Sequence, residues 1–328
     1  EQRYSQLLYK VEGSGVEHLS ESSDDKQEIT VPVKWVAFKD QYFATVLISD
    51  YNIEISDLAS KVNTNKNSGL LKECSAYLYV PTVAENDGSI NAGFRFYMGP
   101  LEYSRLKDLD GNVKDERQRL DLDEMVPLGW SLFRWVNQYF VIPLFSWLSG
   151  FDLNMGLVIL ILTIIVKIII APLTYKSFLS SAKMRVLRPQ IEELNAKFPK
   201  TEQMQERQQA TMKLYSSAGV NPMSGCIPML LQMPILIALF QFFPSAIELR
   251  QESFLWATDL STYDDILSWG FHIPLIGSHL SIFCLLMSLI NVVYTKFNMD
   301  ATNTGQQQIP GMKWMMYLMP IVFLFVLN

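Results

Sequence analysis

The chain has 328 residues, of which 49% are hydrophobic and only 18% are charged, and its formal net charge is −6. Soluble domains carry roughly a quarter of charged residues, so this composition, with its mean hydropathy of +0.13, excludes a single water-soluble globule. Because charged residues become sparse after residue 125, we predict a water-exposed domain followed by a membrane-embedded one.

The sequence offers little for catalysis or for nucleic-acid binding. Its cysteines, Cys74, Cys226 and Cys284, form no CxxC pair, and its histidines are scattered along the chain. It contains no phosphate-binding loop of the G-x-x-x-x-G-K-[ST] type and no basic face interleaved with aromatic residues. We therefore interpret the protein as a non-enzyme, and we expect no catalytic residue, no metal, no cofactor and no nucleic-acid partner.

Residues 1–125 contain four runs in which apolar and polar side chains alternate, as is typical of β-strands. The runs cover residues 29–36, 42–48, 75–80 and 92–97, and turn-forming sequences such as 85–88 separate them. Strands without intervening helical periods predict an antiparallel β-sandwich. Such a domain is either a packed scaffold or a binder of sugars or peptides, and the lack of an acid cluster near its one histidine favours the scaffold.

Residues 126–150 are rich in Trp, Phe and Tyr, carry one arginine and are interrupted by Pro143. Aromatic rings with a polar edge favour the headgroup layer of a membrane, so we predict an amphipathic helix at the interface. The alternative is another transmembrane span. That alternative conflicts with the charges further along the chain, because it would place the next basic segment outside the cell.

Residues 151–328 are predicted to form a bundle of transmembrane α-helices. A helix needs about 20 apolar residues to cross a hydrocarbon core of about 30 Å. Four segments approach this length: 153–175, 226–247, 275–295 and 312–328. The fourth segment is short, so we expect it to continue beyond Asn328.

The charges between these spans alternate in sign and predict an orientation. Residues 176–225 carry 8 basic and 4 acidic side chains, whereas residues 248–274 carry 1 and 5. By the positive-inside rule, we expect residues 176–225 and 296–313 to be cytoplasmic, and the first domain and residues 248–274 to lie outside. Export of such a domain needs a signal or an anchor helix, so we expect a further segment upstream of Glu1.

The cytoplasmic residues 176–218 are polar and helix-prone, with a break near Pro199, and they predict a hairpin of two antiparallel helices. Lys183, Arg185 and Arg188 lie at the end of this hairpin that is nearer the membrane. Two interpretations of these cations stay open. They contact anionic headgroups or nascent chains, or they only anchor the preceding span by the positive-inside rule.

One charge, Lys167, lies within the first predicted span, about 4.5 Å from its midpoint by helical rise. A charge near the bilayer centre costs roughly 2.5–3.5 kcal/mol, and a lysine cannot easily reach the interface from this depth. We therefore expect Lys167 to face a hydrated cavity, the alternative being a lysine that backbone carbonyls satisfy. Polar residues that could line the cavity are Thr163 on the same helix face, Gln232 in the second span, and Ser288 and Asn291 in the third.

Several motifs resemble the YidC/Oxa/Alb family of membrane protein insertases, in its bacterial form with a large periplasmic domain. The motifs in the helical part are Val166-Lys-Ile-Ile-Ile-Ala-Pro-Leu-Thr174, Lys183-Met-Arg-Val-Leu-Arg-Pro-Gln-Ile191, Gly219-Val-Asn-Pro222, Gly225-Cys-Ile-Pro228, Gln232-Met-Pro234 and Glu248-Leu-Arg-Gln-Glu-Ser-Phe-Leu-Trp256. In the first domain, Trp35-Val-Ala-Phe38 and Tyr97-Met-Gly-Pro-Leu-Glu-Tyr103 also match. The resemblance covers nearly the whole chain.

This resemblance implies a fold and a site. The first domain would be a β-supersandwich similar to sugar mutarotases, with a scaffold or partner-contact role. The spans would enclose a hydrophilic groove, and Lys167 matches a basic residue, usually arginine, that attracts acidic stretches of incoming chains. Thr163, Gln232, Met233 and Pro234 match groove positions. Lysine keeps the charge but lacks the two-pronged geometry of arginine, so we expect general electrostatic attraction at this site.

We interpret the protein as an insertase and chaperone of the bacterial inner membrane. It would act on nascent membrane proteins, alone or with the Sec translocon, in contact with membrane lipids and with ribosomes as a further partner that the resemblance implies. The resemblance also implies one further span before Glu1 and one at the C-terminal end beyond Asn328. The alternative function is a small-solute transporter, but the sequence shows none of the inverted repeats that are common in transporters.

Overall fold

The computed structural model describes residues 4–63, 69–80, 82–84, 90–111, 113, 115, 118–198, 203–219, 227–264, 266–273, 277–302 and 312–327. The chain forms two compact units. The first comprises Glu1–Trp130 and Phe240–Glu248, and the second comprises Ser131–Leu239 and Leu249–Asn328. An N-terminal region of antiparallel β-strands and a following helical region confirm the predicted fold class.

The strands of the first unit pair antiparallel throughout their described length. They are β1 (Gln6–Val11), β2 (Val16–His18), β3 (Asp25–Ile29), β4 (Val33–Lys39), β5 (Phe43–Ile53), β6 (Ile55–Val62), β7 (Lys72–Tyr79), β8 (Val83–Ala84), β9 (Ile90–Asn91) and β10 (Phe94–Pro100). One sheet has the order β10-β5-β4-β1-β2, a second has the order β3-β6-β7, and β8 pairs with β9.

One hydrophobic cluster joins the two larger sheets. Leu7 and Val36 of the five-stranded sheet belong to the same buried cluster as Ile29 and Leu58 of the three-stranded sheet. Side chains alternate between the two faces of a strand, and for this reason the apolar/polar alternation in the sequence indicated β4, β5, β7 and β10. The strands β1, β3 and β6 were missed. The arrangement is an antiparallel β-sandwich.

The other face of the five-stranded sheet carries residues 120–125. The indole of Trp35, which is fully buried, donates a hydrogen bond to the Leu120 carbonyl at 2.7 Å. The buried ammonium of Lys39 donates to the Met125 carbonyl at 2.9 Å, and Lys10 forms an ion pair with Asp121. Buried polar groups need such partners, so these side chains fasten a long connection to the sheet.

The strand boundaries differ from the sequence prediction at all four predicted runs. Two strands, Phe43–Ile53 and Lys72–Tyr79, are longer than the runs 42–48 and 75–80. The predicted run 29–36 is interrupted, because β3 ends at Ile29 and β4 begins at Val33. Pro32 has no N–H to donate to a ladder, and its carbonyl accepts instead from the Glu12 N–H at 2.9 Å. The run predicted at 92–97 begins two residues later, at Phe94. The predicted turn at 85–88 lies outside the described residues.

The second unit is mainly helical. Helix α1 (Tyr103–Asp110) belongs to the first unit. The helices that follow it along the chain are α2 (Ser131–Val136), α3 (Ile142–Ser149), α4 (Met155–Val186), α5 (Arg188–Lys197), α6 (Met204–Ser217), α7 (Ile227–Phe242), α8 (Ile282–Thr302) and α9 (Met312–Leu327). Two strands, β11 (Leu267–Ile273) and β12 (Gly277–Leu280), form a hairpin directly before α8.

The aromatic segment is helical, with a π-helical turn at Asn137–Val141 between α2 and α3. Four exposed aromatic residues on or directly after these helices lie four or eight positions apart: Trp135, Tyr139, Trp147 and Phe151. A spacing of four drifts by about 40° per step around a regular α-helix. A π turn contains one extra residue, which turns the later side chains back by about 100°. The aromatic residues therefore share one side, and their place at a membrane interface stays a prediction.

The first predicted span is longer in the structure than in the prediction. Within the described ranges, α4 alone is long and apolar enough to cross a membrane by itself, at 32 residues. It continues to Val186, so residues 176–186 of the predicted hairpin belong to the same helix as the span. The sequence of 176–218 predicts two hairpin helices of about 20 residues each, but the helices beyond α4 are shorter, since α5 has 10 residues and α6 has 14. Pro199 lies outside the described residues.

Two other predicted spans have different ends. The second helix, α7, ends at Phe242 and passes into a 3₁₀ turn that contains Pro244, whereas residue 247 was predicted. Cys226 lies outside the described residues. The predicted start of the third span at residue 275 is wrong, because α8 begins at Ile282 and the strand Gly277–Leu280 precedes it. Apolar residues of the hairpin sequence had extended the predicted span.

Candidate functional site

Helix α4 carries the central candidate residue, and its buried face defines its orientation. Val158, Leu162, Val166 and Ile170 follow one another at intervals of four residues and are buried, so they form one stripe along the helix. The helix lies against α3 and α8. The exposed residues of the helix lie outside this stripe.

Lys167 and Thr163 are exposed, on the flank of the buried stripe. Lys167 follows Val166 and is therefore rotated from it by about 100°. The Thr163 hydroxyl donates to the Ile159 carbonyl of its own helix at 2.8 Å, and its oxygen can still accept a hydrogen bond. No carboxylate of the described residues lies within ion-pair distance of Lys167.

Helix α7 carries the second group of candidate residues. Gln232 and Pro234 are half-buried, and Met233 is exposed. Pro234 lies inside the helix and lacks the N–H that would complete one intrahelical hydrogen bond. The helix is positioned by Asn137 of the π turn, whose buried amide donates to the Ala238 carbonyl at 3.0 Å. Within the described ranges, no hydrogen bond or ion pair joins Lys167 to the α7 group.

The two candidates on α8 lie in different surroundings. Ser288 is buried, and its hydroxyl donates to the Pro320 carbonyl of α9 at 3.1 Å. This contact gives Ser288 a role in helix packing. Asn291, three residues further along, is half-buried. A contribution of Asn291 to a polar groove stays a prediction.

The basic residues at the start of the hairpin are only partly described. Lys183 and Arg185 are exposed in the last turn of α4, where positive charge is favourable at the negative end of the helix dipole. Met184 lies between them in the sequence and is buried with Ile191 and Tyr215 in a small core of the hairpin. The side chain of Arg188 lies outside the described residues.

Asp264 is a buried residue that the sequence prediction missed. Its carboxylate accepts hydrogen bonds from the Ser281 hydroxyl, from the Trp256 indole at 2.9 Å and from the Ile282 N–H at 2.7 Å. Burial alone would raise the pKa of this carboxyl, but these hydrogen bonds outweigh that effect and lower the pKa below its ordinary value. Asp264 thus stabilises the positive N-terminus of α8.

Ser281 is the part of this arrangement that a local sequence pattern could have predicted. Its side chain accepts from the Cys284 N–H at 3.1 Å, as an N-cap serine does. A serine directly before a long apolar run predicts a helix start at that position. The acidic partner is seventeen residues away along the chain, and therefore no local pattern identifies it.

The described residues include one cluster of acidic side chains whose carboxylate oxygens lie close enough together to bind one metal ion: Asp110, Asp121 and Asp123. Two of these carboxylates already have partners. Asp121 pairs with Lys10, and Asp110 accepts from the Leu120 and Asp121 N–H groups at 2.6 and 2.7 Å. We assign no metal to this cluster, because these contacts explain its position.

Apolar side chains on α4 are exposed in a way that is unusual for a soluble protein. Ile168 is 63% exposed and Ile169 is 55% exposed. Only 28% of the most apolar 18-residue stretch of the helix is buried inside the protein. A contiguous apolar surface of this kind marks an interaction with lipid or protein. It is the surface expected of a helix in a hydrocarbon environment.

Both regions of the chain are similar to known proteins. A family model described as "60Kd inner membrane protein" matches residues 147–328, and one described as "YidC periplasmic domain" matches residues 3–143. Proteins named membrane protein insertase YidC from Parabacteroides distasonis and Phocaeicola vulgatus are 57% and 50% identical to the chain over its whole length. The match covers 52% of each of these proteins, so the chain spans about half the length of the curated relatives.

Proposed function

Because the chain belongs to the YidC family of inner membrane proteins, we propose that it acts as a membrane protein insertase and chaperone. The substrates would be newly made membrane proteins, and the location would be the bacterial inner membrane. The observation that carries the proposal is α4, a 32-residue apolar helix with a single cation, Lys167, in its apolar part. The relatives bear the name of this function.

The proposed topology places the β-sandwich in the periplasm and the α5–α6 hairpin in the cytoplasm. The excess of basic residues in 176–225 and the excess of acidic residues in 248–274 support this orientation. The exposed aromatic side of residues 131–151 supports a helix that lies in the outer headgroup layer. Helices α4, α7, α8 and α9 would cross the membrane.

In the proposed mechanism, Lys167 lies in a hydrated groove that is open to the lipid. A polar tail that crosses pure hydrocarbon leaves its backbone groups without partners, at a cost of several kcal/mol for each group. Water beside Lys167, Thr163 and Gln232 would shorten that path. The lysine would attract Asp and Glu residues of the tail, and the following apolar segment would move past Met233 and Pro234 into lipid.

No covalent step is needed for such insertion, because burial of the apolar segment of the client provides the driving force. Lys167 would only lower the barrier for acidic tails. An attraction of about 1.4 kcal/mol, the value expected for a partly hydrated charge pair, would change the rate about tenfold. The effect should depend on the charge of the client and should weaken with rising salt concentration.

The proposed partners follow from the same arrangement. Lys183, Arg185 and Arg188 would contact anionic lipid headgroups at the cytoplasmic surface, and the hairpin would meet ribosomes or nascent chains. The Sec translocon is a proposed partner for clients whose insertion requires both the translocon and this protein. Asn291 would contribute to the groove, while Ser288 would hold α8 against α9.

The proposal is tested by replacing Lys167 with Arg, Ala and Glu in the full-length protein. The measurement is insertion, into proteoliposomes, of two clients that differ only in an acidic or a neutral translocated tail. We expect Lys167→Arg to be active, Lys167→Ala to insert the acidic client about tenfold more slowly, and Lys167→Glu to be slower still. The neutral client should respond weakly to all three substitutions.

Lys176→Ala is the matched control, since Lys176 lies on the same helix about 13.5 Å further along and near the predicted cytoplasmic surface. Equal amounts of folded protein are verified for each variant. Equal loss with Lys176→Ala, or equal loss for both clients, would contradict the role of Lys167. Flux of small solutes through the same vesicles without any client would favour a transporter instead.

A further inference from the structure

The β11–β12 hairpin is apolar, uncharged and poorly covered. Residues 266–280 contain no Lys, Arg, Asp or Glu. Phe271 is 66% exposed, and Ile266 and Leu267 are also exposed. Two-stranded hairpins are marginally stable in water, and exposed edge strands in water normally carry charges that prevent aggregation. An environment other than bulk water would explain this composition.

The hairpin is held at one end of α8. β12 ends at Leu280, and α8 begins two residues later, at Ile282. Asp264, which lies shortly before β11, binds the first N–H groups of α8 and the Ser281 hydroxyl. Both ends of the hairpin are therefore attached to the N-terminus of α8. If α8 crosses the membrane, the hairpin lies at the membrane surface.

The loop before the hairpin lies against the start of α4. The Asn154 side chain, which also caps α4, donates to the Ser253 carbonyl at 2.7 Å. The Cα of Gly156 lies so close to Phe254 that a Cβ there would overlap the aromatic ring. Leu255, in the same loop, is 72% exposed. The starts of α4 and α8 and the loop between Ser253 and Asp264 thus form one end of the helical unit.

Further exposed rings lie close to this end along the chain. Trp147 and Phe151, which contact each other at a ring-centre distance of 5.0 Å, directly precede the Asn154 cap of α4. Tyr263, beside Asp264, is 59% exposed and stacks on His279 of β12 at 3.9 Å. Tyr and Trp side chains of this kind are typical of a membrane–water interface.

We propose that the hairpin and the adjoining loop insert into the outer headgroup layer of the membrane, as a second surface anchor in addition to residues 131–151. The contacting side chains would be Leu255, Tyr263, Leu267 and Phe271. The ligand is a lipid surface, zwitterionic or anionic, because the hairpin carries no charge that would select between them. The inference rests on the proposed crossing of the membrane by α4 and α8.

The backbone of the hairpin limits how deeply it enters the membrane. Within the described residues, β11 and β12 pair only with each other, so each strand has one edge of N–H and C=O groups outside the ladder. Open sheet edges do not occur in the hydrocarbon core, where water cannot satisfy them. The apolar side chains favour lipid and the open edges favour water, and both conditions are met in the headgroup layer.

Depth-dependent fluorescence quenching tests this inference on the full-length protein in lipid vesicles. The native cysteines are replaced by serine, and an environment-sensitive fluorophore is attached to Phe271→Cys. Matched labels at Ile164→Cys in the apolar part of α4 and at Tyr77→Cys on the β-sandwich serve as the deep and the aqueous reference. Lipids with a nitroxide near the headgroup or near the methyl end of the chain are compared with aqueous iodide.

We expect the label at 271 to be quenched more by the shallow nitroxide than by the deep one, and less by iodide than the label at 77. The label at 164 should respond most to the deep nitroxide. Iodide quenching at 271 equal to that at 77, or no quenching by any agent, would overturn the inference and indicate water or a protein partner. Loss of lipid quenching at 164 would instead contradict the proposed topology and function.

Discussion

The two units place the same apolar residue types in opposite environments. In the β-sandwich, Leu7, Trp35 and Leu58 have no exposed surface, whereas Ile168 on α4 and Trp147 on α3 are 63% and 59% exposed. The hydrophobic effect acts on both sets of residues. In the first unit the apolar side chains leave water by packing on each other, and in the second they would leave it by contact with lipid. Single exposed side chains do not separate the units, because Phe96 and Met98 of the β-sandwich are 64% and 71% exposed. The difference is that the first unit has a large buried core, whereas most of the apolar part of α4 is exposed.

The lysines of the two units also differ in their surroundings. Lys10 and Lys39 of the β-sandwich are buried, and fixed oxygen atoms hold both of them. Lys167 on α4 is exposed, with no ion pair in the described part of the chain. A fixed set of partners suits a structural cation, whereas an accessible charge suits transient partners. This difference supports a functional interpretation of Lys167 and a structural one of the other two lysines.

The strongest test of the comparison uses two tryptophans. Trp35→Ala should lower the free energy of unfolding of the β-sandwich by about 3–5 kcal/mol, because it leaves a cavity and removes the hydrogen bond to Leu120. Trp147→Ala should change stability by less than about 0.5 kcal/mol in detergent. Denaturant unfolding of the full chain measures both. Similar losses for the two variants would show that Trp147 is buried in the folded protein.

A smaller effect is expected where the loop meets α4. Gly156→Ala should destabilise the helical unit by about 2 kcal/mol, since the new Cβ overlaps Phe254. The double variant Gly156→Ala/Phe254→Ala should recover part of that loss. Gly270→Ala is the control, because nothing lies within 4 Å of a Cβ at that position. The thermal unfolding midpoint of each variant is measured in nanodiscs. Equal midpoints for the three variants would contradict the close packing of Gly156 against Phe254.

The smallest effect concerns pH. Burial lowers the pKa of Lys39 to about 8, although Glu21 partly opposes the shift. Above this pKa the folded protein has released a proton that the unfolded chain retains up to about 10.5, so stability rises with pH in this window. Between pH 7 and 9 we expect a gain of about 1 kcal/mol that the Lys39→Met variant lacks. The same pH profile in both proteins, measured by denaturant unfolding, would contradict this assignment.

The elements that the sequence predicted correctly are those with a local pattern. Two-residue alternation indicated β4 and β5, and an apolar run interrupted by Lys167 indicated α4. Asp264 and the start of α8 were missed because they depend on contacts between residues far apart in the chain. The apolar residues Leu275 and Ile276 made the sequence of the hairpin look like part of a span. A strand pair and a helix cannot be separated by hydrophobicity alone over such a short run.

The candidate site could be predicted only in part. Lys167 stands out in the sequence because charge inside a span is rare. Ser288 and Asn291 share one helix with similar chemistry, yet Ser288 is directed at the Pro320 carbonyl. Which polar residue faces a neighbouring helix depends on how the helices are arranged, and hydropathy does not contain that information.

The π turn at Asn137–Val141 sets the alignment of the rings along the aromatic helix. Removing one residue there would restore a regular α-helix and leave the rings aligned, because the deletion takes out the one residue that the π turn accommodates. A substitution that restored regular α-helical hydrogen bonding without changing the residue count would instead rotate Trp147 and Phe151 by about 100° relative to Trp135. The segment is thus more tolerant of a deletion in the turn than of a change that straightens it.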